Sequence, residues 1–419
     1  MQYRFQKFTT IYPEFVQPFV SQHPDFDRLS YVELYDRYIQ QHYGWADYYA
    51  RNFEALGHEA QEVFVNFEYL QKLWAKEHGV KYTRRGWLYE IVLAQVKAFQ
   101  PTVIFLEDTY VLDLAFRQQL RDACAKPVIL VGWRAAPTED YSDLIDFDLL
   151  LSCGPHYVDR MRAAGINAEL IYHGFEPTVL RAVSPIAARD LDFSFVGSLV
   201  LGEGFHNDRY ALVSDLMEST PLEVWGYIST AFPASRRSKA VSVVSHKATR
   251  VLETLGVPGS LNRKLKQAGH RIAHGRPPQT IQDCYPDRFH PSVFGLNNFE
   301  ILGRSRITLN KHIDCAENYA GNARLFEATG MGACLLTDWK VNLSDIFEPD
   351  VEVVTYKSSD ECIEKARYLL DHEDQRKAIA EAGQRRILRD HTYAQRALQL
   401  NEFIVRTLSK KAQVVGTYS

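Results

Sequence analysis

Cysteine is scarce in this chain of 419 residues, which contains six. No two of them have the C-x-x-C spacing of a zinc ribbon or of a thioredoxin-like redox motif. So few thiols in a chain of this length also argue against a scaffold built on disulfides. We therefore expect free thiols in a reducing compartment at Cys124, Cys153, Cys284, Cys315, Cys334 and Cys362.

Long hydrophobic runs are absent as well. No stretch approaches the roughly 18 apolar residues that a membrane-spanning helix requires. The opening segment MQYRFQKFTTIYPEF contains no apolar core of the kind found in secretory signals. These two observations lead us to expect a cytoplasmic protein.

The chain has no large excess of one charge, because 48 Lys and Arg face 52 Asp and Glu, for a net charge of -4. This balance argues against a strongly basic nucleic-acid-binding protein, so we expect no nucleic acid among the partners. The sequence also lacks the G-x-G-x-x-G and G-x-x-x-x-G-K-[ST] motifs. Their absence disfavours a dinucleotide dehydrogenase and a P-loop enzyme.

The chain is rich in short apolar runs that alternate with helical patterns. Such runs predict strands near 4–10, 60–65, 102–106, 128–131, 148–152 and 168–172, and again near 193–196, 222–225, 333–337 and 351–355. The pattern also predicts a helix over 299–307 that runs into a strand ending near Asn310. The intervening helical segments indicate βαβ units and parallel sheets. The predicted fold class is α/β, with two tandem Rossmann-like doubly wound domains and a C-terminal helical tail.

The alternation pauses at 174–190, which we interpret as an interdomain connection. The predicted domains are therefore 1–180 and 181–392, followed by a helix over 393–419. Apolar residues recur at near-helical spacing in this last segment, which predicts that the helix after His391 packs back on the N-terminal domain. These residues are Leu398, Leu400, Phe403, Ile404 and Leu408.

The segment NARLFEATGMGACLLTD, 322–338, follows a strand that ends at Asn310 and a loop over 311–320. A helix that starts near Gly321 or Asn322 would offer free N–H groups and a positive dipole to a phosphate. Arg324 adds a cation, and Glu327 can accept hydrogen bonds from two ribose hydroxyls. Asn310 and His312 at the strand end could reach the same ligand. The alternative is a structural helix with a solvated Glu327.

A second strand and loop, FVGSL at 195–199, is followed by Arg209. Gly197 and Ser198 would lie at the carboxyl end of this strand, so both loops could face one cleft. A plain turn between a strand and a helix is the alternative interpretation.

The region 299–396 resembles the C-terminal domain of bacterial glycosyltransferases with the GT-B fold, of the CgeB-like group among the family 1-like glycosyl transferases. LNKHID (309–314), NARLFEATGMGACLLTDWK (322–340), DIFEPDVEVVTY (345–356) and IAEAGQRRILRDHTYAQR (379–396) carry the resemblance, together with FVGSL. GWADYYARNFEALGHEA (44–60) and IYHGFEP (171–177) are similar to the acceptor-side half of the same proteins.

The resemblance implies a role for each matching residue. Glu327 would hold the donor ribose, Gly321 and Asn322 would bind the diphosphate with Arg324 nearby, and the opposite wall would consist of Gly197, Ser198 and Arg209. Many retaining members have a second glutamate eight positions before the ribose glutamate. Tyr319 occupies that position here, so the motif does not define a retaining reaction.

An inverting transfer needs a base at the acceptor hydroxyl. In the GT-B architecture the base comes from a strand end of the N-terminal domain that faces the cleft. Glu107 and Asp108 follow the strand TVIFL and are the first candidates, and His173 at the connection is the other. A surface carboxylate or a structural histidine is the alternative in each case.

The expected function is transfer of a sugar from a nucleotide diphosphate sugar to a glycan, lipid-linked or protein acceptor in the interdomain cleft, in bacterial glycan or glycoconjugate synthesis. A GT-B nucleotide-sugar epimerase and a non-catalytic nucleotide-sugar-binding protein are the alternatives. The sequence has no D-x-D-type metal motif. We expect neither a metal nor a cofactor beyond the nucleotide sugar, which is a substrate.

The segment 227–276 is strongly basic, with ten Lys or Arg and the single acid Glu253. Such a segment could bind an anionic acceptor or contact an anionic membrane surface peripherally, at the inner face of the membrane. A solvated insertion is the alternative.

Overall fold

The computed structural model describes residues 2–23, 25–183, 188–202, 207–231 and 279–416. The chain divides into two compact units. The first unit combines Met1–Phe193 with Val293–Ser419, and the second is Ser194–Ser292. The predicted boundaries at 180 and 392 stay predictions.

The N-terminal part of the first unit is built on a six-stranded parallel sheet, with the order β2-β1-β3-β4-β5-β6. Its central strands are continuous apolar runs, as expected for a sheet whose two faces are covered by helices. The strands are β1 (Arg4–Thr9), β2 (Glu59–Phe64), β3 (Val103–Leu106), β4 (Ile129–Trp133), β5 (Leu149–Ser152) and β6 (Ala168–Leu170).

The helices around this sheet begin and end at recognisable signals. Ser30 and Glu33 form a capping box at the start of the second helix, Asp113 caps the sixth, and Pro155 opens the seventh. The helices are α1 (Pro13–Gln22), α2 (Tyr31–Ile39), α3 (Tyr48–Ala55), α4 (Glu68–Glu77), α5 (Trp87–Phe99), α6 (Leu114–Asp122), α7 (Pro155–Ala163) and α8 (Val179–Ala182).

The second unit contains short parallel pairings. Strand β9 pairs with β11, and β8 pairs with β10. Strand β7 (Leu191–Val196) leads into the unit, which contains β8 (Leu199–Gly202), α9 (Asn207–Ser219), β9 (Leu222–Trp225), β10 (Ile228–Ala231), α10 (Ile281–Cys284) and β11 (Phe289–His290).

The chain then returns to the first unit and adds three mutually parallel strands in the order β12-β13-β14. The elements are α11 (Leu296–Arg304), β12 (Ser305–Asn310), α12 (Arg324–Gly330), β13 (Cys334–Asp338), β14 (Val354–Tyr356), α13 (Ser359–Asp371), α14 (Glu373–Asp390) and α15 (Tyr393–Gly416).

Helix α15 packs on the N-terminal sheet and on α3. Its buried residues Tyr393, Ala397, Leu400 and Ile404 join a core that includes Tyr3, Phe5 and Tyr49. Ion pairs from Arg406 to Glu169 and from Lys411 to Asp148 extend this contact. Leu398, which the apolar pattern included, is an exception because 48% of it is exposed.

The predicted fold class is confirmed, with local corrections. The helix predicted through Ile307 ends at Arg304, and the helix predicted from Gly321 or Asn322 begins at Arg324. The last strand begins at Val354 instead of at Val351, because a turn precedes it in which Asp350 has a φ of 60°. The strands β8, β10 and β11 were not predicted. Most of the basic segment, 232–276, lies outside the described residues.

Candidate active site

The strand order of the N-terminal sheet reverses direction at β1, since β2 lies on one side of it and β3 on the other. In doubly wound sheets such a reversal opens a crevice at the carboxyl ends of the strands, where ligands bind. A cavity of about 420 Å³ lies there. It is lined by Thr9, Thr10, Tyr12, Tyr43, Gly44, Glu107, Asp108, Thr109, Tyr110, Trp133, Arg134, Ala135 and Ala136.

Glu107 and Asp108, the predicted base candidates, both line this cavity but have different partners. The Glu107 carboxylate accepts hydrogen bonds from Lys7 and, at 2.8 Å, from the Thr9 hydroxyl. The Asp108 carboxylate accepts bonds from Thr10 Oγ1 at 3.1 Å and from the Tyr110 backbone N–H at 2.8 Å. Asp108 therefore fixes the loop after β3, whereas Glu107 joins a buried charged group.

Lys7 and Glu62 belong to the same buried group as Glu107 and were not predicted from the sequence. Their side chains are fully buried, and Lys7 Nζ lies 2.8 Å from Glu62 Oε1. The sequence contains only a weak signal, because RFQKFT and EAQEVF each mix charged and apolar residues, and only the structure shows that Lys7 and Glu62 face the interior. A charge in such a position is rarely buried without a partner.

Aromatic side chains form much of the cavity wall. Tyr12 and Tyr110 are each 67% exposed, so their rings are available to a ligand. The guanidinium of Arg134 lies 3.9 Å from the ring centroid of Tyr110, and its Nε donates to Thr138 at 2.8 Å. Exposed aromatic rings beside carboxylates offer both stacking surfaces and hydrogen-bond acceptors to a hydroxyl-rich ligand.

His173, the third base candidate, lies between this cavity and α12. Its ring centroid is 5.2 Å from that of Trp133 and 6.5 Å from that of Phe326. Burial, together with the charge of Arg396, lowers the pKa of His173 to about 4, so the ring is neutral near pH 7. Its Nδ1 accepts the indole N–H of Trp45 at 3.3 Å, which assigns the ring proton to Nε2. This arrangement orients Trp45 and leaves Nδ1 occupied.

On the opposite side, Glu327 lies in the first turn of α12. Its Oε2 pairs with Arg324 Nη1 at 2.8 Å, and both side chains are partly exposed. Arg324 also donates to Asn298 Oδ1 at 2.8 Å. Arg324 and Glu327, which are both predicted to bind the donor, are therefore in contact. The other carboxylate oxygen of Glu327, Oε1, is not part of this ion pair.

Asn310 and Asn322 are also brought together, because Asn322 Nδ2 donates to Asn310 Oδ1 at 2.6 Å. His312 Nδ1 lies 2.7 Å from Asp338 Oδ1. Burial disfavours the charge of Asp338, but His312, Lys340 and Lys311 outweigh it and hold the pKa of Asp338 far below its usual range.

Gly321 approaches another part of the backbone closely. A Cβ at this position would lie 2.4 Å from the carbonyl oxygen of Cys153, in the loop after β5. The glycine is therefore required for contact between two segments of the first unit. Its role at a phosphate remains a prediction.

Gly197, Ser198 and Arg209 belong to the second unit, where they are mutual neighbours. Arg209 Nη1 donates to the Ser198 carbonyl at 3.2 Å. A Cβ on Gly226 would lie 2.0 Å from the carbonyl oxygen of Gly197, so the two loops touch. Their role in binding a donor stays a prediction.

Within the described ranges, no three or more His, Cys, Asp or Glu side chains gather in a way that could hold a metal ion. None of the helices in the part of the chain that the structure describes is long and apolar enough to cross a membrane. The described cysteines form no disulfide.

Part of the chain matches a known protein family. Residues 259–402 match the family described as glycosyl transferase-like. The α/β architecture confirms the predicted GT-B fold class, and the match identifies a glycosyltransferase-like domain over residues 259–402. No curated protein matches the chain significantly.

Solved structures with this fold align over nearly the whole chain. Anabaena HepE in complex with UDP and glucose has a TM-score of 0.55 and 10% identity, over 97% of this chain and 100% of its own. Sucrose-phosphate synthase from Thermosynechococcus elongatus has a TM-score of 0.53 and 10% identity, over 98% and 100%. A glycosyltransferase from Rickettsia africae has a TM-score of 0.52 and 8% identity, over 97% and 99%.

Proposed function

We propose that the protein transfers a glycosyl group from a nucleotide diphosphate sugar to a hydroxyl-bearing acceptor held in the cavity at the carboxyl ends of β1, β3 and β4. The observation that carries the proposal is the Glu107 carboxylate, which lines this cavity at the reversal of strand order. HepE, which shares the fold, is named as a complex with UDP and glucose, and this supports a nucleotide sugar as donor.

In the proposed reaction Glu107 is the general base. Its carboxylate takes the proton from the acceptor hydroxyl while the acceptor oxygen bonds to the anomeric carbon. The bond from that carbon to the diphosphate oxygen breaks, and the nucleotide diphosphate leaves with the electron pair. Proton transfer by a positioned side chain contributes about 10²–10⁴-fold to such reactions.

The departing diphosphate needs positive charge near the donor side. Lys311 and Lys340 lie 3.5 and 3.3 Å from the single carboxylate of Asp338, so the cations exceed the anion there. Excess positive charge at the ends of β12 and β13 favours an anionic leaving group. Glu327 completes the proposed donor site by accepting hydrogen bonds from the ribose.

His173 connects the two halves of the proposed site. Its ring lies near both Trp133, which lines the acceptor cavity, and Phe326, which precedes Glu327. We assign it a positioning role for Trp45 and not that of the base, because its Nδ1 is already engaged and its pKa is low.

The proposal is tested by incubating the protein with nucleotide diphosphate sugars and saccharide acceptors. We expect one nucleotide diphosphate released for each glycoside formed. Release of an altered sugar without a glycoside would indicate an epimerase, and binding without any product would indicate a non-catalytic protein. Either outcome would contradict the proposal.

The basic segment 227–276 supports an additional anionic partner, either the acceptor itself or a membrane surface. Each Lys or Arg close to an anionic surface contributes about 1 kcal/mol, screened within ~8 Å at physiological salt. Co-sedimentation with anionic vesicles at low and at high salt tests the membrane contact. Absence of binding at low salt would restrict the segment to a soluble partner or to none.

A further inference from the structure

The proposed base Glu107 belongs to a largely buried group of polar and charged side chains. It consists of Lys7, Thr9, Glu62 and Glu107, and we refer to it as the Lys7 cluster. The Lys7 and Glu62 side chains are fully buried, whereas 23% of the Glu107 side chain is exposed, toward the cavity. The cluster is therefore open to the cavity at Glu107, and the acceptor would contact it at that residue.

Strand register brings these residues together. Lys7 on β1 lies opposite Glu62 on β2 and opposite Phe105 on β3. Glu107 follows Phe105 by two positions, and its N–H bonds to the Phe8 carbonyl at 3.0 Å, so the pairing of β1 with β3 continues to it. Side chains two positions apart point to the same face of a sheet. Glu62 and Glu107 consequently flank Lys7 on that face.

The hydrogen bonds within the cluster serve both carboxylates at once. Lys7 Nζ donates to Glu62 Oε1 at 2.8 Å and also to Glu107. The Thr9 hydroxyl contacts the same Glu62 oxygen and lies 2.8 Å from Glu107 Oε2. A hydroxyl carries one proton, so Thr9 can donate to only one carboxylate at a time and accept from the other when that one is protonated.

Charge in the cluster does not balance when both carboxylates are ionised, because one ammonium then faces two anions. Burial raises the pKa of Glu62 to about 8, although Lys7 and Thr9 favour its charged form. Burial opposes the charge of Lys7, but Glu107 and Glu62 outweigh it and raise the pKa of Lys7. The cluster therefore has a strong tendency to bind one proton.

The neighbouring tyrosines do not change this balance. The charges of Glu62 and Glu107 act on tyrosines of α2, the following turn, α3 and α15, and burial raises the pKa of each, so they stay neutral. They are Tyr35, Tyr38, Tyr43, Tyr49 and Tyr393. The rings of Trp45 and Phe105 lie 5.1 and 5.8 Å from Lys7 Nζ and stabilise its charge.

We propose that Glu62 is a positioning residue that makes Glu107 a stronger base, because the two carboxylates share the single ammonium of Lys7. This inference rests on the proposed function. The reactive cluster has both carboxylates ionised and a net charge of minus one. Uptake of the acceptor proton by Glu107 leaves the cluster neutral. The proton can then pass on, since Thr9 takes it from Glu107 and gives its own to Glu62.

The first test is the pH dependence of single-turnover transfer at saturating donor. In the wild type the rate should rise with pH to a plateau above about pH 8, the pKa of Glu62. In Glu62→Gln the cluster loses one negative charge, so proton binding becomes less favourable and the acid limb should move to lower pH. The plateau should fall about tenfold, because a carboxylate balanced by a cation is a weaker base.

Glu59→Gln is the matched control. Glu59 lies on the same strand, but its side chain is 57% exposed and it pairs with Arg4 at the surface. Its variant should keep the wild-type profile. An acid limb that stays in place in Glu62→Gln would overturn the proposal.

Infrared difference spectroscopy of the substrate-free wild-type protein provides a readout that requires neither activity nor a variant. The band of a buried protonated carboxyl should disappear near pH 8. If the band titrates as expected but no glycoside forms with any donor, the proposed function fails while the proton-binding property of the cluster stands. Transfer without a titrating band would overturn the inference about Glu62 and leave the proposed function intact.

Discussion

Truncation of Leu400 tests how α15 is attached to the N-terminal sheet. The side chain is fully buried in the core that includes Tyr3, Phe5 and Tyr49. Leu→Ala in a packed core costs about 2–5 kcal/mol, from lost burial and from the cavity left behind. The helix itself is little affected, because Leu and Ala both have high helix propensity.

Leu398→Ala is the matched control, since it makes the same change two residues earlier in the same helix. Leu398 is 48% exposed, and its truncation should cost less than about 0.5 kcal/mol. Hydrogen exchange of the α15 amides measures the difference locally. A loss of 2 kcal/mol corresponds to about 30-fold faster exchange through detachment of the helix. Equal effects of the two variants would refute the assignment of the buried face.

Three further changes have defined outcomes. Glu327→Ala should weaken nucleotide diphosphate binding about 10- to 100-fold by calorimetry, since a charge-assisted hydrogen bond contributes about 1.5–3 kcal/mol, and unchanged affinity would remove Glu327 from the donor site. Gly321→Ala should lower the thermal midpoint, because its Cβ would lie 2.4 Å from the Cys153 carbonyl oxygen. Acidification from about pH 6 to about pH 3 should destabilise the wild type more than Asp338→Asn, because below its ordinary pKa the carboxyl of Asp338 takes up a proton in the unfolded state while it stays ionised in the folded state.

Strands that are continuous apolar runs could be predicted from sequence because such runs are the signature of a sheet buried on both faces. TVIFL corresponds to β3 and ACLLT to β13, each within one residue at either end. Strand β11 could not be predicted in this way, because it consists of Phe289 and His290 alone. Two residues contain no periodicity, and only the pairing with β9 defines them.

The candidate site could likewise be predicted only in part from the sequence. Glu107 could be proposed because it follows a strand, and the carboxyl ends of parallel strands are where ligands bind. Its partnership with Lys7 and Glu62 depends on β1 lying between β2 and β3 in a particular register, which no local pattern specifies. The hydrogen bond of His173 to Trp45 likewise joins residues that are far apart in the chain.

The most direct test of the account compares Glu107→Gln with Glu54→Gln, an exposed carboxylate on α3. Donor affinity is measured by calorimetry and transfer by single-turnover formation of the glycoside. With Glu107 as the base, its variant should bind the donor normally and transfer the sugar at least about 100-fold more slowly, while Glu54→Gln behaves as wild type. A Glu107→Gln protein that transfers at the wild-type rate would contradict the assignment of this cavity as the site where the acceptor is activated.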